Sequence, residues 1–337
     1  MKIWFNKNFS SIAFILAALQ KNSAVTTLFS HIQAVAHLHL ADEFIYEPEN
    51  APDYLTFCLN TCQQYQVDVF YPWRHFALLY PHRDRFAELG VKVIFPCSDV
   101  VFNLLDNKAL FYRHLAEKQI AVRMPLFATA SSKEEFIAKY QLLRKSTDKL
   151  CMKPSVSIYA AGFKIIHDEP HYDAWKALIH GKDQYEIAYS QLLTLLPDDF
   201  FKEMMLLDFL AGDEYSHDIL CDAGKIIAGT IRQKYAAHEK YQSLIAYPEI
   251  AQMSELLVAE FNLSGLINIQ YRDDKNGVPF LLEINPRISG GFPKIVLAGI
   301  DYVDLFVKMV SGQAICAADI QQEVGVTVAK SSDYVKL

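Results

Sequence analysis

Asn268-Ile269-Gln270-Tyr271-Arg272-Asp273-Asp274-Lys275-Asn276-Gly277-Val278-Pro279-Phe280-Leu281-Leu282-Glu283-Ile284-Asn285-Pro286-Arg287 is the stretch on which the reading of this chain turns. Asn276-Gly277 between two apolar-rich runs is the strongest short signal for a β-hairpin. Read as a two-residue turn, it pairs Lys275 with Val278, Gln270 with Glu283 and Asn268 with Asn285. Opposed residues share one face of a ladder, as do residues two apart along a strand. Four oxygen-bearing side chains are therefore expected on one side, with Ile267, Ile269, Leu282 and Ile284 turned toward a core on the other. A few carboxylate and amide oxygens that leave room for water and phosphate suit a hard divalent cation. A merely solvated strand would favour Lys, Thr or Glu, whereas Asn is depleted in strands without a task.

With 337 residues, 52% of them hydrophobic, the chain can bury a large core, and its length suggests two or three domains. The formal net charge of -7 argues against broad nucleic-acid binding. No membrane partner is expected, because the apolar run at residues 11–19 is too short to span a bilayer. Lys2 and Lys7 precede that run as in a secretory leader, but no Ala-x-Ala-like cleavage site accompanies it, and a strand followed by a helix accounts for it. Six cysteines show no CxxC pair and no disulfide framework. Cys58 and Cys62, one helical turn apart, read as buried apolar residues, and a reducing cytoplasm is the expected compartment.

Strand and helix alternate through the first hundred residues, with strands expected near 2–6, 25–30, 67–71 and 91–95 and helices at 10–20 and 54–65. Such alternation predicts a parallel sheet covered by helices, an α/β Rossmann-like domain over 1–105. Its first turn, Asn6-Lys7-Asn8-Phe9, has no glycine to let a dinucleotide pyrophosphate approach, so an NAD-dependent oxidoreductase is disfavoured. Beyond it, Asp106 reads as the N-cap of a helix over 108–118, and Ser132 with Glu135 as a capping box. A strand over 150–154, a hairpin of 216–220 with 225–234, and a helix opened by Pro248 complete a mixed α+β region, divided as 106–205 and 206–337.

Lys153 shares a strand face with Cys151. Lys108 occupies the first turn of its helix, where the macrodipole disfavours a cation, so an outside anion is expected as its partner. Arg232 and Lys234, two apart on a strand, point the same way and need a phosphate or carboxylate nearby. Arg287 leads into Ser289-Gly290-Gly291, whose backbone amides can approach a ligand. Glu214, after the bend at Gly212, is placed to accept both ribose hydroxyl protons. Together these cations, the metal platform and the glycine turn suit a polyphosphate held through a divalent metal.

In this order the residues resemble the ATP-grasp superfamily, in particular the branch of the carbamoyl phosphate synthetase large subunit and related carboxylate-amine ligases. Glu283-x-Asn285-Pro286-Arg287 with upstream Gln270 is the specific part of the likeness. It implies a Rossmann-like pre-ATP-grasp domain followed by an ATP-grasp domain of two α+β subdomains that clasp ATP. Lys108 and Lys153 would meet the phosphates and the adenine side, the hinge backbone at Leu210 the base, and Glu214 the ribose. Gln270, Glu283 and Asn285 would hold Mg²⁺ or Mn²⁺, and Arg287 with Arg232 or Lys234 would neutralise the transferring phosphoryl group. The chain departs from the pattern twice. Its phosphate loop, Ser155-Val156-Ser157-Ile158-Tyr159-Ala160-Ala161-Gly162, is poor in glycine. Where a Glu usually reads the adenine amino group it has Leu207, beside Asp208, which leaves that task to the backbone or to Asp208.

The activity implied is an ATP-dependent carbon-nitrogen ligase acting on a small carboxylate and an amine, with His238 in the 235–247 segment a candidate for proton transfer. A homodimer is compatible with the sequence. The rival is an ATP-binding regulatory or partner protein on the same fold without turnover.

Overall fold

The computed structural model describes residues 1–7, 11–50, 53–157, 161–168, 185–236 and 241–329. They form two compact units: residues 1–103, 213–271 and 283–337 in the first, 104–212 and 272–282 in the second.

The first unit opens with strands β1 (Lys2–Phe5), β2 (Thr26–His31), β3 (Glu43–Tyr46), β4 (Val69–Tyr71) and β5 (Lys92–Val93). They pair in parallel in the order β3-β2-β1-β4-β5. Both faces are covered, as a parallel sheet requires. Trp4, Leu28 and Phe70 pack with Cys58, Leu59 and Cys62 of the helix Tyr54–Tyr65. Ile3, Phe5 and Phe29 pack with Ile12, Ile15 and Leu16 of the helix Ile12–Leu19. The α/β character is as the alternation predicts, while β3, a short half-buried edge strand, is an element the sequence reading lacks.

Five strands form the sheet of the second unit: β6 (Phe127–Ala130), β7 (Leu150–Pro154), β8 (Lys164–His167), β9 (Glu186–Ala188) and β10 (Met204–Asp208). Their order is β6-β10-β7-β8-β9, antiparallel except where β8 meets β9. Leu150, Met152, Ile166 and Leu206 bury against Phe136 and Tyr140 of the helix Lys133–Leu143. Ser132 caps that helix by accepting from the Glu135 amide at 3.2 Å, and the Glu135 carboxylate reaches back to the Ser131 amide at 2.8 Å.

The third sheet holds β11 (Glu214–Asp222), β12 (Lys225–Lys234), β13 (Tyr241–Ile245), β14 (Gly265–Asp273), β15 (Pro279–Asn285) and β16 (Val326–Ala329), in the order β15-β14-β11-β12-β13-β16. Ala223 (φ 44°) and Gly224 (φ 77°) turn the β11–β12 hairpin, both left-handed as a tight two-residue turn demands. Within the first unit this sheet and the parallel one share a core. The Tyr71 ring stacks on Phe306 at 5.0 Å, and its hydroxyl accepts from the Leu266 amide at 2.6 Å and donates to the Leu266 carbonyl at 3.3 Å. Gly265 (φ +79°) permits this contact, since a Cβ there would lie 2.5 Å from the Tyr71 hydroxyl.

Two local expectations are corrected. Asn276-Gly277 is not a two-residue turn: the Asp274 amide donates to the Val278 carbonyl at 2.9 Å and the Gly277 amide to the Asp274 carbonyl at 3.2 Å, so three residues lie between the paired positions. The Asp274 carboxylate is the cause. It accepts from the amides of Asn276 (2.8 Å) and Val278 (2.9 Å) and from the Asn276 side chain (3.0 Å), drawing the bend around itself and leaving Gly277 at φ +77°. The helix Lys108–Glu117 is capped by Asn107, which accepts from the amides of Ala109 and Leu110, while Asp106 ends the preceding helix Asp99–Asp106.

Candidate functional site

β15 does not keep strict alternation. Leu281 and Ile284, three apart, are both buried, whereas Leu282, expected in the core, is only half-buried. Local bonding accounts for the break, because the Leu281 amide donates to the Arg123 carbonyl at 2.8 Å while Tyr112 donates to the carbonyls of Leu281 and Leu282. Past it, Glu283 and Asn285 lie on one face, with the Asn285 amide 3.0 Å from a Glu283 carboxylate oxygen, and Ile284 enters the core.

Asn268 behaves differently from the expected platform. It is buried and donates at 3.0 Å to Asp218, which is itself fully buried. Asp218 also accepts from Arg232 Nε at 2.7 Å and from the Ser289 hydroxyl at 2.7 Å. Arg232, 1% exposed, completes its bonding to Gln242 at 2.7 Å and Ser289 at 2.9 Å. Its guanidinium passes directly under Gly291, where a Cβ would come within 2.3 Å of Nη1. Lys234 bonds Glu214, its cross-strand partner. The anions that reconcile Arg232 with Lys234 are thus the protein's own carboxylates on β11, which only the register reveals.

Arg232 of this network also lines a cavity of about 590 Å³, together with Ser216, Lys234, Gln270, Gly290 and Lys294 among others. Gln270 and the glycine turn therefore meet the two predicted cations in one place. Arg287 is half-buried beside them in sequence, its guanidinium 3.4 Å from the Ile288 carbonyl. Ser216, Gln242 and Lys294 are lining residues that the sequence reading missed. Alternation from Asp218 points to Ser216, but nothing in the sequence singles out Lys294.

In the second unit, Lys108 is buried and donates to the Ser157 carbonyl at 2.9 Å, so a backbone oxygen meets the charge for which an outside anion was expected. Lys153 lies over the Tyr112 ring at 5.9 Å. Ser155, at the stem of the glycine-poor loop, bonds the Glu203 carboxylate at 2.9 Å, which also takes Arg113 at 2.6 Å. At the hinge, the amides of Asp208 and Phe209 donate to the carbonyls of Leu126 and Lys149. The Phe209 ring faces both Lys149 (5.2 Å) and Arg272 (5.8 Å). Leu207 and Leu210 are buried, and Asp208 titrates above the usual carboxylate range through burial first and the nearby Asp148 charge second. Gly212 is required where the hinge meets the hairpin, since a Cβ would lie 2.6 Å from that of Asp273. His238 falls outside the described residues.

A family model described as "ATP-grasp in the biosynthetic pathway with Ter operon" matches residues 200–333. The fold is the ATP-grasp fold. The chain is 21% identical over 248 residues to the carbamoyl phosphate synthase large chain of Pasteurella multocida, a match covering 70% of this chain and 21% of the relative. It spans about a fifth of the length of the carbamoyl phosphate synthases it matches. Among solved structures it resembles the biotin carboxylase domain of Hydrogenobacter thermophilus 2-oxoglutarate carboxylase, a dimer in complex with MgADP and bicarbonate. That likeness has a TM-score of 0.65 and 15% identity and covers 95% of this chain and 72% of the other. It also resembles the L-amino acid ligase of Bacillus licheniformis, with TM-score 0.62 and 15% identity over 96% and 77% of the two chains. No helix among the described residues is long and apolar enough to cross a membrane.

Proposed function

We propose that this chain is an ATP-dependent ligase that activates a small carboxylate by phosphorylation and couples it to an amine. The observation that carries the reading is the cavity whose lining holds Arg232, Lys234 and Lys294 and, among the described residues, no carboxylate, beside the Gly290-Gly291 amides. Such a lining favours an anion with developing negative charge. In the first step a carboxylate oxygen attacks the γ-phosphorus of ATP, the bond from that phosphorus to the β,γ-bridging oxygen breaks, and ADP leaves. In the second the amine attacks the acyl carbon, phosphate departs with the electron pair of its C–O bond, and the nitrogen loses a proton. A free carboxylate could not follow that course, since oxide is too poor a leaving group.

Glu283 and Asn285 fit a divalent cation: they share a strand face, the Asn285 amide nitrogen donates to the Glu283 carboxylate at 3.0 Å, and a carboxylate with an amide oxygen is a hard, singly charged donor pair. Gln270 is the third ligand proposed. Among the described residues no trio of His, Cys, Asp or Glu forms a closed metal site, which suits a metal whose remaining ligands are phosphate oxygens. Mg²⁺ or Mn²⁺, when bound, supplies charge neutralisation at the polyphosphate. The other assignments are Lys108 and Lys153 to the nucleotide's phosphates and base side, Asp208 and the Leu210 backbone to adenine, and Glu214 to ribose. Arg287, with Lys234 and Arg232, would face the transferring phosphoryl group. Arg232 contributes from beneath, held by Asp218.

The reading is tested by following ADP and phosphate with ATP, Mg²⁺ and pools of carboxylic acids and amines, with hydroxylamine as a trap for acyl phosphate. Acid-dependent ADP release with hydroxamate formation supports the ligase. Tight nucleotide binding with no acid-dependent release across broad pools would leave the non-catalytic ATP-binding protein instead.

A further inference from the structure

The 3₁₀ stretch Phe292–Ala298 forms one wall of the cavity, and its geometry dictates what the wall presents. Residues three apart nearly eclipse in a 3₁₀ helix. Phe292, Ile295 and Ala298 follow that spacing and are buried in the core. Lys294 and Leu297 follow it too, and both line the cavity, a cation and an aliphatic side chain one above the other. Leu297 is 57% exposed. Pro293 and Ala329 add apolar lining, and the Lys294 amide donates to the Gly291 carbonyl at 3.0 Å, which sets that residue beside the glycine turn. Ser216 also lines the cavity, and its hydroxyl is fully buried and has no hydrogen-bond partner among the described residues. A buried hydroxyl left without a partner is costly, so the wall is built for a polar group that arrives with the ligand. The volume, about 590 Å³, is in the range of small-molecule sites and several times what a bare carboxylate fills.

We infer that the acid substrate carries an apolar body, and that Lys294 and Leu297 are the specificity-determining residues that read its two ends. This inference rests on the reading of the chain as a carboxylate-activating ligase. The carboxylate lies toward Lys294, the Ser216 hydroxyl and the glycine amides; the hydrocarbon lies against Leu297, Pro293 and Ala329. Neither residue belongs to the proposed nucleotide or metal set, so their replacement should discriminate between acids and leave nucleotide binding alone.

The probes are acetate and octanoate, titrated by calorimetry into the protein in the presence of Mg²⁺ and a non-hydrolysable ATP analogue, and assayed separately for hydroxamate formation with ATP and hydroxylamine. Octanoate is expected to bind at least about tenfold more tightly than acetate, a modest return on its six extra methylenes. Lys294→Ala should weaken octanoate at least about tenfold while the affinity for the ATP analogue stays within about twofold, and Leu297→Asp should erase the preference for the longer acid. Equal affinity for the two acids, indifference of octanoate binding to both substitutions, or a loss of nucleotide affinity in place of acid affinity would overturn the inference. If the binding pattern appears and no hydroxamate forms, the ligase reading fails and the acid site stands.

Discussion

Arg232 has counter-charge and hydrogen bonds supplied entirely from within the protein, by Asp218, Gln242 and Ser289. A buried ion pair of this kind is weak testimony for stability as a pair, yet removing one partner strands the other in a dry site. Asp218→Asn is therefore expected to cost about 3–5 kcal/mol, read as a lower urea midpoint, and Asp218→Leu with Arg232→Met together should cost less than either alone. A double variant that costs as much as the two single variants added together would mean that the pair is not coupled. Gly291→Ala should be destabilising by about 1–3 kcal/mol for a steric reason, because its Cβ would meet Nη1, Cζ and Nη2 of Arg232 at 2.3 to 2.6 Å. The sequence made Arg232 and Lys234 visible as neighbours on one strand face. It could not show that Asp218 and Glu214 answer them, since that depends on which strand lies alongside and in what register.

Among elements, the β14–β15 hairpin was legible in kind and misread in detail. Asn276-Gly277 does mark the bend, but Asp274 two residues earlier offers a carboxylate to three donors, and that local competition sets a longer turn than the dipeptide alone implies. A one-residue change at a turn displaces every downstream face relative to the partner strand, but Glu283 and Asn285, two apart on β15, share a face whatever the turn; the break in alternation lies before them, between Leu281 and Ile284. The break depends on Tyr112 and Arg123, more than 150 residues away in the chain, so no periodicity rule could have found it. For function, this element makes a sharp claim. Glu283→Ala should reduce nucleotide affinity measured in the presence of Mg²⁺ by at least about tenfold, bringing it to the level the unaltered protein shows with a chelator. Unchanged Mg²⁺-dependent affinity in Glu283→Ala would remove β15 from the metal site.

At the scale of the whole chain, the first unit is assembled from three separate stretches, so its stability depends on contacts that join distant sequence. Tyr71 and Gly265 are one such joint: Tyr71→Phe leaves the buried Leu266 amide without its acceptor and should cost about 1–3 kcal/mol. A second buried group makes stability depend on pH. His217 is enclosed on β11, its Nδ1 2.8 Å from the Ser254 hydroxyl, which in turn meets Tyr271 at 2.8 Å, and its Nε2 lies over Gly229 with no space to spare. Burial pushes its pKa from the ordinary 6.5 down to about 4, against a smaller opposing pull from Asp218. The unfolded chain therefore takes up the proton first. The stabilising contribution of neutral His217 is complete above pH 6.5 and is lost progressively as pH falls from there toward 4, amounting to roughly 3 kcal/mol over that window. Urea unfolding of the parent chain should show this decline, and the same titration of His217→Gln, a side chain without a proton to gain, should be flatter between pH 6.5 and 4 by about that amount. Parallel curves for the two proteins across the window would mean that His217 takes its proton in the folded state as readily as in the unfolded one.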